Sequence, residues 1–204
     1  MLKKIIEYLK NGGVIVYPTE TAYALGCDAT NQRAVDLVFK LKKRAKSKTL
    51  PLIVGSLAMV KKYCQMSAAE ERLAKKYWPG ALTMILNVLS SHSHEACPRA
   101  ASGNGNSAFL AKGIVAKDGT VAIRVSSNKM ARELSRGLGA PLVSTSANLA
   151  GEGECYSVNN AKKSFSDSVI FLDGGRLKKQ KPSTIVKIEN GKIKILRQGE
   201  IKLC

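Results

Sequence analysis

The segment Ala140-Pro-Leu-Val-Ser-Thr-Ser-Ala-Asn148 ends an apolar run in three hydroxyls and one amide, from Ser144, Thr145, Ser146 and Asn148. A short apolar run with turn residues at its end is the pattern of a buried strand. Neutral hydroxyl and amide groups at its exit hold a phosphate or carboxylate without adding charge, and they also suit a plain strand-to-turn exit. The stretch Pro18-Thr-Glu-Thr-Ala-Tyr-Ala-Leu-Gly26 repeats the pattern, with Thr19, Glu20 and Thr21 following an apolar run. In helix-covered sheets ligands settle in crevices at strand exits, so two polar exits point to a ligand crevice more strongly than one.

Positive charge to meet such a ligand is available in Lys42-Lys-Arg-Ala-Lys-Ser-Lys48. On a continuous helix Lys42 and Arg44 would diverge. They converge on one ligand if the helix ends near Lys42, and Ser47, Thr49 and Pro51 favour that ending. Arg44 would then fork onto a phosphate while Lys42 acts as a point charge. A cationic helix end that answers the macrodipole is the plainer alternative. Arg124 lies inside the apolar pattern Val121-Ala-Ile-Arg-Val125. A buried arginine needs an anionic partner, either a carboxylate of the chain or one of a ligand. Arg197, in Ile195-Leu-Arg-Gln-Gly199, reads by itself as a surface residue.

The chain has no G-x-x-x-x-G-K-[ST] loop and no G-x-G-x-x-G after a strand, which disfavours P-loop and Rossmann enzymes. His92 and His94 fall in a Ser/Gly-rich stretch, so neither a Ser-His-Asp set nor a metal site is readable. Five dispersed cysteines, Cys27, Cys64, Cys97, Cys155 and Cys204, form no C-x-x-C pair. They argue against a disulfide framework or a zinc site and fit thiols in a reducing compartment.

The elements that position these groups follow from periodicity. Residues 1–10 read as an amphipathic helix with Leu2, Ile5, Ile6 and Leu9 on one face, stopped by Asn11-Gly12-Gly13. A buried strand over 14–17 ends at Pro18. Asn31 caps a helix whose apolar face is Ala34, Val35, Leu37, Val38 and Leu41. Then come a strand at 52–54, helices at 57–64 and 68–77, a break at Trp78-Pro79-Gly80, and strands at 82–88 and 121–125. A helix at 129–136, the strand 142–143, a helix near 157–165 and a strand at 169–172 follow. Strands at 184–188 and 192–196 flank Asn190-Gly191, the strongest short hairpin signal. From Ser90 to about Lys117 the pattern dissolves, apart from Ala108-Phe-Leu110, into what reads as a long loop, a mobile lid or disorder. Interleaved helices and strands with a hairpin tail predict one mixed-sheet α/β domain over residues 1–204.

With 33 basic and 15 acidic residues the net charge is +18. A polyanionic partner is the natural inference, with RNA the leading candidate and solvated surface lysines the alternative. No zinc-finger spacing or ribonucleoprotein aromatic motif accompanies the charge. No apolar run approaches membrane-spanning length, and Glu7 with its neighbouring lysines breaks any signal-peptide pattern, so the expected location is cytoplasmic without membrane contact.

These pieces together resemble the YrdC family of threonylcarbamoyl-AMP synthases. The residues that carry the resemblance are Gly13-Val-Ile-Val-Tyr-Pro-Thr-Glu-Thr21 with Tyr23 and Leu25-Gly26, and Lys42-Lys-Arg44 as the family's K-x-R. Pro51-Leu-Ile-Val54, Trp78-Pro-Gly-Ala-Leu-Thr83, Val121-Ala-Ile-Arg124, Ser144-Thr-Ser-Ala-Asn148, Pro182-Ser-Thr-Ile-Val186 and Ile195-Leu-Arg197 continue it in the family's order. The resemblance implies a twisted mixed α/β sheet with helices, enclosing a large basic cavity, in a chain as short as the single-domain members. It implies a nucleotidyltransferase that condenses L-threonine, bicarbonate and ATP to threonylcarbamoyl-AMP and pyrophosphate. Magnesium would come with ATP, and no permanent cofactor is implied. A threonylcarbamoyl transferase complex would pass the group to the adenosine beside the anticodon of tRNA.

By the same resemblance Lys42, Arg44, Ser146 and Asn148 form the catalytic set. Lys42, Arg44, Lys48, Thr120, Ser146, Asn148 and Arg197 serve ATP, and Thr21, Arg124, Ser144 and Ser183 serve threonine. The chain departs from the family at Ala24, usually Gly, at Ala45, often Pro, and at Gly55, where longer members carry a threonine-contacting His. Two other readings stand beside the synthase. One is a non-catalytic double-stranded RNA, tRNA or rRNA-binding module of the same fold, which the charge supports. The other is a carbamoyl-transfer module like that of hydrogenase maturation proteins, which the short chain disfavours. A pure binder has no need of both K-x-R and S-x-N.

Overall fold

The computed structural model describes residues 1–45, 47–90, 109–149, 151–165 and 169–203. The chain opens with α1 (Leu2–Lys10), whose Ile5 and Leu9 face inward. β1 (Ile15–Pro18) is buried throughout. It is covered on both sides: Val14 and Val16 belong to the larger core cluster, while Ile15 and Tyr17 belong to a smaller one with Leu9, Leu134 and Leu142. That two-sided cover explains why the segment is continuously apolar rather than alternating.

β2 (Tyr23–Gly26) returns antiparallel to β1. Thr19, Glu20 and Thr21 thus stand at the exit of β1, in the turn of a β1–β2 hairpin. Its turn is closed by a threonine: Thr19 Oγ1 donates to the Ala22 carbonyl at 2.7 Å, and Thr19 N–H bonds the same oxygen at 3.1 Å. α2 (Gln32–Leu41) is capped by the Asn31 side chain, which accepts from Ala34 N–H. There follow β3 (Leu52–Ile53), α3 (Leu57–Tyr63), α4 (Ala68–Tyr77), β4 (Leu82–Asn87), β5 (Thr120–Arg124), α5 (Lys129–Leu138), β6 (Leu142–Val143), β7 (Thr145–Ser146), α6 (Val158–Ser164), β8 (Ile170–Phe171), β9 (Thr184–Glu189) and β10 (Lys192–Arg197). Ser67 and Glu70 close a reciprocal capping box on α4. Asn190 and Gly191 both take positive φ, 51° and 74°, as the β9–β10 turn requires.

The strands form two mixed sheets, one ordered β7-β2-β1-β8 and one ordered β10-β9-β4-β5-β3-β6. β6 belongs to the six-stranded sheet and β7 to the four-stranded one, so the backbone crosses between the sheets at Ser144. Tyr17, fully buried, pins the crossing by donating its hydroxyl to the Val143 carbonyl at 3.0 Å. Gly26 packs so closely beside it that a Cβ there would lie 2.1 Å from the Val143 carbonyl oxygen.

The stretch read as a long loop is in part ordered against the core. Leu110, Ala111 and Ile114 are buried, and Leu50 N–H bonds the Gly113 carbonyl at 3.0 Å. His92, His94 and Cys97, with the rest of residues 91–108, and Cys204 at the chain end fall outside the described residues. Cys27, Cys64 and Cys155 are free and buried. Among the described residues no group of His, Cys, Asp or Glu could hold a metal ion, and no helix is long and apolar enough to cross a membrane.

Candidate active site

Where the backbone crosses between the sheets, a cleft of about 350 Å³ opens. The β1–β2 turn gives it Thr21, the segment after α2 gives Arg44, and β5 gives Arg124. The crossing gives Ser144 and Ser146, and the β9–β10 hairpin gives Ser183 and Arg197. Those seven residues were expected at a site, and they meet in one place. Ala24 also lines the cleft, from β2 where it pairs with Ser146 of β7. Three arginines and the Glu154 carboxylate are the charged groups of the lining.

Lys42, Lys48, Thr120 and Asn148 do not line the cleft. α2 does end at Leu41, as the sequence indicated, but Lys43 then takes φ 49° and the chain doubles back. Lys42 is thereby turned inward and Arg44 toward the cleft. The Lys42 ammonium donates to the Ser146 carbonyl at 2.5 Å, the Asn148 carbonyl at 2.7 Å and Asn148 Oδ1 at 3.1 Å. All three of its protons are thus committed to the chain itself. Burial, and after it the charge of Arg44, pushes its pKa down to about 8. The three oxygens favour the charged form.

Asn148 completes the tie. Its Oδ1 accepts from Ser146 Oγ at 2.6 Å, and its Nδ2 donates to the carbonyls of Glu152 and Gly153. Lys42 and Asn148 therefore hold the shape of the strand exit from behind, while Ser146 faces the cleft. Arg44 is fixed by neutral acceptors, the carbonyls of Lys48 at 3.2 Å and Thr49 at 3.0 Å, and it has no carboxylate partner among the described residues. Lys48 takes part through its carbonyl rather than its ammonium. Thr120 lies at the far end of β5 from Arg124, and its hydroxyl is spent on Asp118 Oδ1 at 2.6 Å. At strand spacing the two residues are roughly 13 Å apart, which removes Thr120 from this cleft.

Arg124 is 7% exposed, and its anionic partner is a residue of the chain: Glu20 Oε1 lies 3.2 Å from Arg124 Nε. The contact is ionic but not aligned, since neither atom makes a hydrogen bond of good geometry. The other Glu20 oxygen accepts from Ser126 Oγ. Arg124 Nη1 reaches Ser183 Oγ at 3.4 Å, and its Nη2 has no partner among the described residues. Sequence reasoning placed Glu20 at a strand exit but missed this pairing. It also assigned no role to Thr83, which lies inside the quoted Trp78-Pro-Gly-Ala-Leu-Thr83 run and lines the cleft.

Gly55 faces elsewhere. A Cβ there would lie 2.3 Å from Arg136 Cγ of α5, and Arg136 Nε donates to the Gly55 carbonyl at 2.9 Å. The position in this chain is filled by helix packing and contributes nothing to the cleft.

A family model described as telomere recombination, that of Sua5, YciO and YrdC, matches residues 7–199. Threonylcarbamoyl-AMP synthase of Chromobacterium violaceum is 33% identical over 188 residues, which are 92% of this chain and 88% of that one. The crystal structure of P. abyssi Sua5 complexed with L-threonine matches with a TM-score of 0.78 and 26% identity. The match covers 97% of this chain and 54% of the Sua5 chain, so this chain spans about half the length of Sua5. E. coli YciO matches with a TM-score of 0.76 and 28% identity, over 97% of this chain and 88% of that one.

Proposed function

The chain belongs to the Sua5/YciO/YrdC family, and from that premise we propose that it is a threonylcarbamoyl-AMP synthase. The observation that carries this reading is the cleft itself. Arg44, Arg124 and Arg197 converge there with the hydroxyls of Thr21, Ser144, Ser146 and Ser183. Such a site binds and neutralises anions, and the reaction asks for little else. The threonine amine adds to the carbon of bicarbonate and water leaves, giving the carbamate. A carbamate oxygen then attacks the α-phosphorus of ATP, the bond to the bridging oxygen breaks, and pyrophosphate departs with the electron pair. No nucleophile of the protein is consumed, so catalysis consists of positioning and charge neutralisation.

In this proposal Arg124 takes the threonine carboxylate on its Nη2, which has no partner among the described residues, with Thr21 and Ser144 beside it. Arg44 meets the triphosphate, and Ser146 and Arg197 lie on the nucleotide side. Lys42 and Asn148 act through Ser146 as positioning residues. Magnesium enters as part of the ATP substrate. The product goes to a threonylcarbamoyl transferase that modifies tRNA in the cytoplasm.

A second reading, an RNA-binding module without catalysis, is favoured by the net charge of +18. Mass spectrometry separates the two. Protein incubated with ATP, magnesium, L-threonine and 13C-bicarbonate should yield threonylcarbamoyl-AMP one mass unit heavier than the unlabelled product. Absence of that product, with RNA still bound in moderate salt, would favour the second reading.

A further inference from the structure

Among the described residues, Glu20 Oε1 and Arg124 Nε are the two buried side-chain polar atoms that make no hydrogen bond, although they lie 3.2 Å apart. A buried carboxylate and guanidinium this close ordinarily form a bidentate fork, so an open one calls for a cause. Nε–H and one N–H of Nη2 lie side by side along one edge of the guanidinium. A carboxylate aligned on Nε therefore takes Nη2 as well. In this chain the fork is not closed: Nη1 reaches Ser183 Oγ at 3.4 Å, and Nη2 has no partner among the described residues.

Ser126 supplies the cause. Its hydroxyl donates to Glu20 Oε2, and a hydroxyl has one proton to give. The same oxygen accepts from Asn128 N–H at 3.1 Å, which fixes its direction. The Ser126 carbonyl accepts from Arg132 Nη1 at 2.6 Å. Asn128 caps α5 and Arg132 lies one turn into it, so the fully buried Ser126 is anchored to a helix end. Thr19 and Thr21 line the cleft on either side of Glu20, whose carboxylate is turned to that anchor.

We propose that Ser126 is a positioning residue of the site: by holding one oxygen of Glu20 it keeps that carboxylate off Nη2 of Arg124 and reserves the atom for the carboxylate of the substrate. The inference rests on the synthase reading, which gives the threonine carboxylate to Arg124. The two carboxylates compete for one donor edge with the same chemistry. Glu20 belongs to the chain, so its effective concentration at Arg124 is high and, unrestrained, it prevails over a free ligand. With one oxygen tied to Ser126, Glu20 still answers the charge of Arg124 through Nε but leaves the neighbouring donor to the ligand.

The test is calorimetric binding of L-threonine to the purified full chain, which needs no turnover. Ser126→Ala frees Glu20 to close the fork and should weaken threonine by about tenfold or more. In a Glu20→Gln background, where no charged fork can form, the same Ser126→Ala change should alter the threonine Kd by less than about twofold. An equal loss in both backgrounds is the mark of a purely structural role and would overturn the proposal. A crystal structure of Ser126→Ala gives a second readout that does not depend on how well the double variant folds. Glu20 should there hydrogen-bond Arg124 Nη2, and a carboxylate still turned to position 126 contradicts the proposal. Failure of the synthase reading is distinguishable. Wild type that forms threonylcarbamoyl-AMP, with Ser126→Ala binding threonine as wild type does, defeats the positioning role and spares the synthase. The expected coupling in a protein that forms no threonylcarbamoyl-AMP supports the positioning role and defeats the synthase.

Discussion

Lys42 Nζ lies 3.1 Å from Asn148 Oδ1, although the two residues stand 106 positions apart in sequence. The contact joins the Lys42-Lys-Arg44 turn to the Ser146-Ala-Asn148 strand exit, and it spends the lysine charge inside the protein. Lys42→Met leaves the carbonyls of Ser146 and Asn148 without a donor. The expected loss of stability is about 2–4 kcal/mol in urea unfolding, with kcat falling while the KM for ATP changes little. Unchanged stability with a raised ATP KM would instead put Lys42 on the phosphates.

The buried ammonium also sets a pH dependence. Its pKa in the folded protein is about 8, against 10.5 for an ordinary lysine. Between those values the unfolded chain holds the proton and the folded chain does not, so this residue's contribution to stability rises with pH, by at most about 1.4 kcal/mol per pH unit. Its hold on Ser146 weakens over the same range. Activity should therefore decline above about pH 8 while the wild type gains in unfolding free energy relative to Lys42→Met. In Lys42→Arg, whose guanidinium stays charged, the alkaline decline should move to higher pH. Superimposable profiles for wild type and Lys42→Arg would count against the tie.

Glu20 is the counter-charge of Arg124. Glu20→Gln keeps an acceptor for Ser126 and removes the charge, leaving a buried cation partly unpaired. The expected cost is about 2–4 kcal/mol at pH 7, measured by urea unfolding. If Glu20→Gln is as stable as wild type, the unaligned 3.2 Å contact contributes nothing and Arg124 is supported by other groups.

Among the described residues Arg44 has only neutral partners, and it lines the cleft, which suits its charge to a phosphate. Arg44→Ala should raise the KM for ATP by about 10–100-fold, the worth of a charge-assisted hydrogen bond, with threonine binding unchanged in calorimetry. Equal losses for both substrates would contradict the assignment.

Much of this was legible in the sequence, for reasons that differ by element. Asn31 and the apolar period after it announced α2 and its end, because a cap and a 3.6-residue repeat are local signals. Asn190-Gly191 announced the last hairpin because both residues tolerate positive φ. β2 was not legible: Tyr23-Ala-Leu-Gly26 has no alternation, and its turn is closed by the Thr19 side chain rather than by Gly or Asn. The polar residues of the cleft were visible as strand exits, but their partners were not. Arg124 demanded an anion, and only the meeting of β5 with the β1–β2 turn supplies Glu20. The direction of Lys42 depends on the left-handed Lys43, a non-glycine conformation set by the turn and not by propensity.

The most direct test of the central claim is pyrophosphate release by the purified protein with ATP and magnesium, omitting threonine and bicarbonate in turn. Release that requires both is the expected result, because the attacking group is the carbamate made from the two together. Release that persists without threonine or without bicarbonate, or none with every substrate present, would contradict it.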